Sequence, residues 1–112
     1  MDKKDFDLEV AKTQMRKGLL EFCTLLAISK EEMYVSDILV ALKKADLLVV
    51  EGTIYPLLSR LRIEALLEYK WAESNAGPPR KYYSLTDKGE ETLHQLKVTW
   101  KALHKSIDSL IK

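Results

Sequence analysis

Two adjacent basic residues, Arg80 and Lys81, are the side chains whose type and position suggest a chemical role most directly. They follow Gly77, Pro78 and Pro79 and precede two tyrosines. Proline stiffens a loop and lowers the entropy lost when it docks, and paired cations can neutralise phosphates. The same residues are also compatible with an ordinary solvated strand end, so the surrounding elements must decide between the two interpretations.

Catalytic and metal-binding residue patterns find no support in the sequence. There is no Gly-rich phosphate loop, no Cys–His or Ser–His arrangement and no paired carboxylates in a recognisable cleft. His94 and His104 are ten residues apart, which turns them to different sides of a helix, and the single cysteine, Cys23, lies in an apolar run. We therefore expect no enzymatic activity, no metal and no cofactor, and a buried thiol at Cys23.

Composition sets the scale of any binding surface. The 112 residues suit one domain, and 46% hydrophobic content is enough for a core. Because 18 Lys and Arg face 17 Asp and Glu, for a net charge of +1, a basic surface must be local. The charged N-terminus has no signal-peptide core, and the longest apolar run is too short to cross a bilayer. We expect a cytoplasmic protein without a membrane partner.

Helical periodicity dominates the first half of the chain. Residues 1–12 predict an N-terminal arm or a helix start, and apolar residues from Thr13, beginning with Met15, recur on one helical face. Ser36 predicts the N-cap of a second helix that ends near Lys44. A third helix must begin near Glu51, since Pro56 is tolerated only close to a helix start.

A hairpin and a long helix follow. Alternating residues predict strands over 67–73 and 80–85, joined by a turn at "SNAGPP". Thr86 predicts the N-cap of the last helix, whose apolar residues step by three and four as in a coiled-coil seam. Such a seam at the chain end favours a second copy of the chain as its partner. The predicted dimerisation residues are Leu93, Leu96, Trp100, Leu103, Ile107 and Leu110.

The order of three helices, a hairpin and a helix is typical of a winged helix-turn-helix, in which one helix enters the major groove and the hairpin, or wing, contacts the backbone nearby. The fold class is therefore mainly α with a small β-hairpin, plus a C-terminal dimerisation helix. The outward face of the third helix is small and polar, which permits close approach to base edges. The predicted DNA-binding residues are Tyr34, Ser36, Gly52, Thr53, Tyr55, Ser59, Arg60, Gly77, Arg80 and Lys81.

The runs "EGTIYPLLSRL" and "GPPRKYYSLTDKGEE" resemble the PadR family of bacterial transcriptional regulators, over residues 16–92. The resemblance implies a homodimeric repressor that binds a double-stranded DNA operator and releases it when an inducer or stress signal arrives. The short C-terminus is similar to that of compact, multidrug-binding members. One departure is Ala65, at a position where the family often has glycine.

Trp100 lies in the middle of the seam, where a smaller residue packs more evenly. In compact relatives, a central tryptophan from each subunit lines a pore that sandwiches planar aromatic ligands. The resemblance places Trp100 at that position. The alternative is that Trp100 is a packed interface anchor. The predicted ligand-binding residues are Thr92, Leu96, Trp100 and His104.

Together these observations predict an N-terminal arm or helix start over 1–12, a winged helix-turn-helix DNA-binding domain over 13–85 and a dimerisation helix over 86–112. The predicted function is sequence-specific repression by a homodimer, with release by a planar aromatic ligand. Two alternatives stay open: a repressor with no small-molecule ligand, and a dimeric protein-interaction module without a DNA operator. Salt dependence separates the last from DNA binding, because phosphate contacts weaken steeply as salt rises.

Overall fold

The computed structural model describes residues 6–47, 49–74 and 77–112. Within these ranges, five helices and one antiparallel hairpin give the predicted class, mainly α with a winged helix-turn-helix. The elements in chain order are α1 (Leu8–Lys17), α2 (Leu20–Lys30), α3 (Val35–Lys44), α4 (Glu51–Ile63), β1 (Leu67–Ser74), β2 (Gly77–Leu85) and α5 (Asp87–Ile111).

The N-terminal region contains two helices where the periodicity predicts one. α1 begins at Leu8, after Asp7 accepts hydrogen bonds from the backbone N–H groups of Glu9 and Val10, and a turn at Gly18 separates it from α2. Met15 was predicted to begin one apolar helical face, but α1 contributes no buried residue and Met15 is exposed. Glycine is a weak helix former, so the chain bends there and the apolar repeat changes direction. Residues 1–5 of the predicted arm lie outside the described residues.

α3 begins two residues earlier than its predicted cap allows. Tyr34, rather than Ser36, is the N-cap residue, and its backbone N–H donates to the Asp37 carboxylate over 3.1 Å. The serine was the stronger candidate by residue type. The preceding chain decides otherwise, because Met33 pairs with Tyr83 in a β-bridge and holds Tyr34 in an extended conformation. The predicted end near Lys44 is confirmed.

α4 begins at Glu51, as predicted from Pro56, although the reason is only partly correct. Pro56 is the sixth helical residue and lies beyond the N–H groups that a helix start leaves free. Its missing N–H removes the hydrogen bond that the carbonyl of Gly52 would accept within the helix. Gly52 is exposed, so water can solvate that carbonyl.

β1 and β2 pair from Leu67 with Leu85 up to Ser74 with Gly77, with an irregularity between Ala72 and Ser74. The strands are longer than predicted. Gly77, Pro78 and Pro79 belong to β2, not to the loop tip where they were expected. Proline fits here because Pro78 and Pro79 lie between the pairs Ala72–Arg80 and Ser74–Gly77, at the irregularity, where neither has a paired position to lose. The predicted turn residues 75 and 76 lie outside the described residues.

One core joins the helices to the base of the wing. Side chains from α2, α3, α4, the hairpin and α5 pack together, and the half-buried Cys23 packs against them. Burial raises the pKa of the Cys23 thiol, so the thiol stays protonated at neutral pH. The fully or almost fully buried members are Leu25, Ile28, Ile38, Leu42, Ile54, Leu58, Leu61 and Leu67.

A tight joint connects α4 to α5. Ala65, just after the end of α4, has a left-handed backbone at φ 65°, a conformation that glycine adopts more readily. The Thr86 hydroxyl donates to the Ala65 carbonyl over 2.6 Å and accepts from the Gly89 backbone N–H at 2.9 Å. Gly89 lies so close to the Leu66 carbonyl that a Cβ atom would collide with it. Thr86 is thus the predicted N-cap and also fixes the start of α5 on the end of α4.

α5 leaves the core after its first turns. Leu93 is buried and Leu96 packs against the core, whereas every residue from Lys97 to Lys112 is exposed or half-buried. Within the described ranges, no helix has the length and apolar character needed to cross a lipid bilayer.

Candidate nucleic-acid interface

A cleft of about 480 Å³ opens between α4, the start of α3 and the wing. We call it the interface cleft. The α3 wall consists of Tyr34, Val35 and Ser36. The α4 wall consists of Glu51, Tyr55 and Ser59, and the wing wall of Trp71, Pro79, Arg80, Lys81 and Tyr83.

The α4 wall is the outward face that the sequence predicted. Tyr55 and Ser59, one turn apart on α4, both line the cleft. The Tyr55 ring is 51% exposed although it is large, which leaves it free to contact a macromolecule. Gly52 and Thr53 are exposed in the first turn of α4 but lie outside the cleft walls.

Arg80 and Lys81 were predicted to be a pair facing phosphate together. Successive side chains of a strand point to opposite faces, and the two cations therefore contact different aromatic groups. The Arg80 guanidinium lies 4.9 Å from the centre of the Tyr34 ring, whereas the Lys81 ammonium lies 4.5 Å from that of Tyr69 and 5.4 Å from that of Trp71. Both cations still line the cleft, Arg80 beside Tyr34 of the α3 wall and Lys81 beside Trp71 of the wing wall.

The ring of Tyr34 packs against the ring of Tyr82. The two rings stack with centroids 3.9 Å apart and planes 25° apart. A side-chain hydrogen bond with Tyr34, followed by burial, raises the pKa of Tyr82, so the Tyr82 phenol is neutral near pH 7. The stack gives Arg80 a rigid aromatic surface on one side while its donors remain available on the other.

Arg60 and Gly77 do not join the interface cleft. The Arg60 guanidinium contacts the carboxylates of Glu21 at 3.0 Å and Glu64 at 3.8 Å, so it points toward α2. Both acids lie within reach of a side chain in the last turn of α4, and their attraction turns the arginine away from the cleft. Gly77 pairs with Ser74 near the end of the hairpin.

Sequence reasoning missed several residues of the cleft. Trp71, Glu51, Pro79, Val35 and Tyr83 all line it. The alternation of β1 placed Trp71 on the same face as Tyr69 and so contained a signal for it, but an inward-facing tryptophan would ordinarily be taken as core. Tyr83 is indeed a core residue whose edge reaches the cleft, and burial raises the pKa of its phenol.

The predicted ligand and dimer residues lie on α5, away from the cleft. The Trp100 ring is 37% exposed and its centre lies 5.7 Å from that of the His104 ring. Thr92 and Leu96 are half-buried. Leu93 was predicted to lie at a dimer interface; in the protomer it is only 3% exposed and packs in the core.

A recognition helix, a preceding helix and a basic wing arranged around one open cleft define a winged helix-turn-helix DNA-binding protein. Residues 24–95 match the family model described as the transcriptional regulator PadR-like family. The chain belongs to this family of transcriptional regulators, and its function is DNA-binding regulation rather than catalysis.

Solved structures agree with this assignment. The chain is 54% identical to a PadR-like transcription factor from Bacteroides fragilis, covering 89% of this chain and 97% of that one, with a TM-score of 0.76. It is 43% identical to a PadR-like transcriptional regulator from Bacillus cereus, covering 88% and 97%, with a TM-score of 0.80. A Streptococcus transcriptional regulator is 33% identical, covering 88% and 98%, with a TM-score of 0.79. No curated protein matches the chain by sequence.

Proposed function

We propose that this chain is a homodimeric repressor that inserts α4 into the major groove of a DNA operator and rests its wing on the adjacent backbone. The interface cleft carries this proposal, because it gathers Tyr55 and Ser59 of α4 with Arg80 and Lys81 of the wing. Tyr55 and Ser59 can read base edges. The two cations can neutralise phosphates regardless of sequence.

Dimerisation would occur through the exposed part of α5. Trp100, Leu103 and Ile107 lie on one stripe, and at least a third of each side chain is exposed in the protomer. α1 leaves this stripe uncovered, since it has no buried residue of its own. An apolar stripe with coiled-coil spacing suits a second copy of α5. Two protomers joined in this way would present two recognition helices to two half-sites.

Release from DNA would follow binding of a planar aromatic ligand between the two Trp100 side chains of the dimer. The partial exposure of Trp100 and the neighbouring His104 ring favour this model. The position of the joint supports a route for the signal. Thr86 ties the first turn of α5 to the end of α4, so a movement of α5 would reach the recognition helix.

Lys81→Ala and Tyr55→Ala test the DNA-binding part of the proposal. The probe is a labelled duplex from the region upstream of the gene that encodes the chain, compared with a random duplex of equal length. Lys81→Ala should weaken binding to both duplexes and reduce the slope of log affinity against log salt by about one phosphate contact. Tyr55→Ala should instead reduce the preference for the upstream duplex.

Lys70→Ala is the matched control for charge. Lys70 also belongs to the wing, but its ammonium pairs with Glu32 at 3.1 Å outside the cleft, so its loss should leave the salt slope unchanged. If Lys81→Ala and Tyr55→Ala both bind like the parent chain, the assignment of this cleft to DNA is wrong. A parent affinity that does not change with salt would favour the protein-interaction alternative.

A further inference from the structure

Packing within the protomer does not explain why Trp71 is exposed. It shares one face of the hairpin with Tyr69 and Tyr83, which point toward the core. Tyr83 is buried and Tyr69 is half-buried, whereas Trp71 is 62% exposed because the hairpin extends beyond the core at this point. A large indole in water gives the folded protomer little apolar stabilisation, so the residue is better explained by an external contact.

The indole is also held in one orientation. The edge of the Tyr69 ring meets it at a centroid distance of 6.0 Å and an interplanar angle of 89°. Lys81, its cross-strand partner, places its ammonium 5.4 Å from the indole centre. These contacts restrict the rotamer of Trp71 before anything binds, which lowers the entropy cost of a further contact.

The interface cleft determines what the indole would meet. Trp71 lies on the wing wall, and Tyr55 and Ser59 lie on the α4 wall. When α4 enters the major groove and the wing rests on the neighbouring groove, the sugar-phosphate strand between the two grooves must pass between them. That strand offers charged phosphates and apolar deoxyribose faces in alternation, and the wing wall offers a cation and an indole side by side.

We propose that Trp71 is a DNA-contacting residue that packs its indole against deoxyribose in the interface cleft, while Lys81 meets the adjacent phosphate. This inference rests on the proposed DNA-binding function and adds a residue to it. The contact is independent of sequence. The contact also involves no charge, so its loss should leave the salt dependence of affinity unchanged, unlike the loss of Lys81.

Affinity and salt dependence provide the first test, with a labelled random 30-base-pair duplex at low salt as the probe. Trp71→Ala should weaken binding by about tenfold, the scale of one lost aromatic contact, and leave the salt slope at the parent value. Trp71→Phe should recover part of the loss because it keeps a ring. Ile63→Ala is the control, since Ile63 is an exposed apolar residue outside the cleft and should bind like the parent.

A double-mutant cycle with Lys81→Ala separates contact from positioning. If Trp71 contacts DNA, Trp71→Ala should still weaken binding in the Lys81→Ala background. If Trp71 acts only by holding the Lys81 ammonium, its effect should vanish in that background, and the proposed contact is overturned.

Tryptophan fluorescence provides the second test, measured at duplex concentrations that saturate each variant. The parent chain should show a change in emission on binding the duplex, and Trp71→Phe should lose that change. A change of the parent's full size in Trp71→Phe comes from Trp100 alone and overturns the inference, as does an unchanged parent spectrum. A parent chain that fails to bind any duplex overturns the DNA function itself, whereas normal binding by Trp71→Ala overturns only the role of Trp71.

Discussion

Single side chains determine how well the wing can hold a phosphate. Arg80 rests on the Tyr34–Tyr82 stack and Lys81 on the rings of Tyr69 and Trp71, so each cation has an aromatic surface on one side. Aromatic contacts of this kind stabilise a cation only moderately at exposed positions. Their larger effect is to restrict the conformations of the long side chain before it binds, so that less conformational entropy is lost on binding. In the proposed complex, the near-neutral chain would therefore meet phosphate with two ordered cations.

Gly89 provides a prediction at the same scale. A Cβ atom at this position would collide with the Leu66 carbonyl, and that backbone cannot move without disturbing the α4–α5 joint. Gly89→Ala should lower the free energy of unfolding by about 1–3 kcal/mol, the usual cost of overpacking, despite the better helix propensity of alanine. Urea unfolding followed by circular dichroism measures the change.

Gly52→Ala is the matched control for Gly89→Ala. Gly52 also lies in the first turn of a helix, and nothing lies within 4 Å of the position its Cβ would take. Its substitution should leave stability unchanged or raise it by up to about 1 kcal/mol. Equal unfolding midpoints for Gly89→Ala and the parent chain would show that the joint is not as tight as described.

At the scale of elements, α5 serves two purposes along its length. Its first turns belong to the protomer core through Leu93 and to the joint through Gly89. Its later turns carry the exposed apolar stripe. A helix with 3.6 residues per turn keeps residues spaced by three and four on one face, so a single regular pattern serves both functions.

Ile107→Glu tests the second purpose of α5. Ile107 is 52% exposed in the protomer and would be buried in a dimer, where a carboxylate without a partner is strongly unfavourable. We expect the variant to elute as a single chain where the parent elutes as two, by size-exclusion chromatography with light scattering. Before it unfolds on heating, the isolated variant chain should show the same helical signal as the parent.

Val98→Glu is the control on the same helix. Val98 is also exposed, but nine residues before Ile107 it faces the opposite side of α5. It should remain dimeric. A parent chain that is already a single chain at micromolar concentration, or a dimeric Ile107→Glu, would contradict dimerisation through this stripe.

At the scale of the whole molecule, the proposed regulation joins the α5 stripe to the interface cleft. A planar cationic dye should quench Trp100 fluorescence in a saturable manner, with one dye for every two chains. The measurement uses Trp71→Phe, which leaves Trp100 as the only indole, in the absence of DNA because such dyes also intercalate. A normal dimer without quenching would contradict the ligand model and leave Trp100 as an interface anchor.

Much of the fold could be predicted from the sequence because its signals are local. Thr86 was identified as a cap because its hydroxyl can reach a nearby backbone N–H. The start of α4 was predicted correctly from Pro56, although Pro56 lies in the second turn of the helix. The N-cap position of Tyr34 and the break between two helices at Gly18 were missed. In both cases the outcome depends on contacts with distant parts of the chain or on a small difference in helix propensity.

The sequence by itself determined the class of protein, the order of the elements after the N-terminal region and six of the eleven residues that line the interface cleft, since periodicity and caps act over a few residues. Only the tertiary structure decided the environment of each side chain. It turned Arg60 toward Glu21, buried Leu93 in its own protomer and placed Trp71 in the cleft. The physical reason is that charge pairing, burial and exposure depend on neighbours that are remote in sequence, and those neighbours are set only when the helices and the wing pack together.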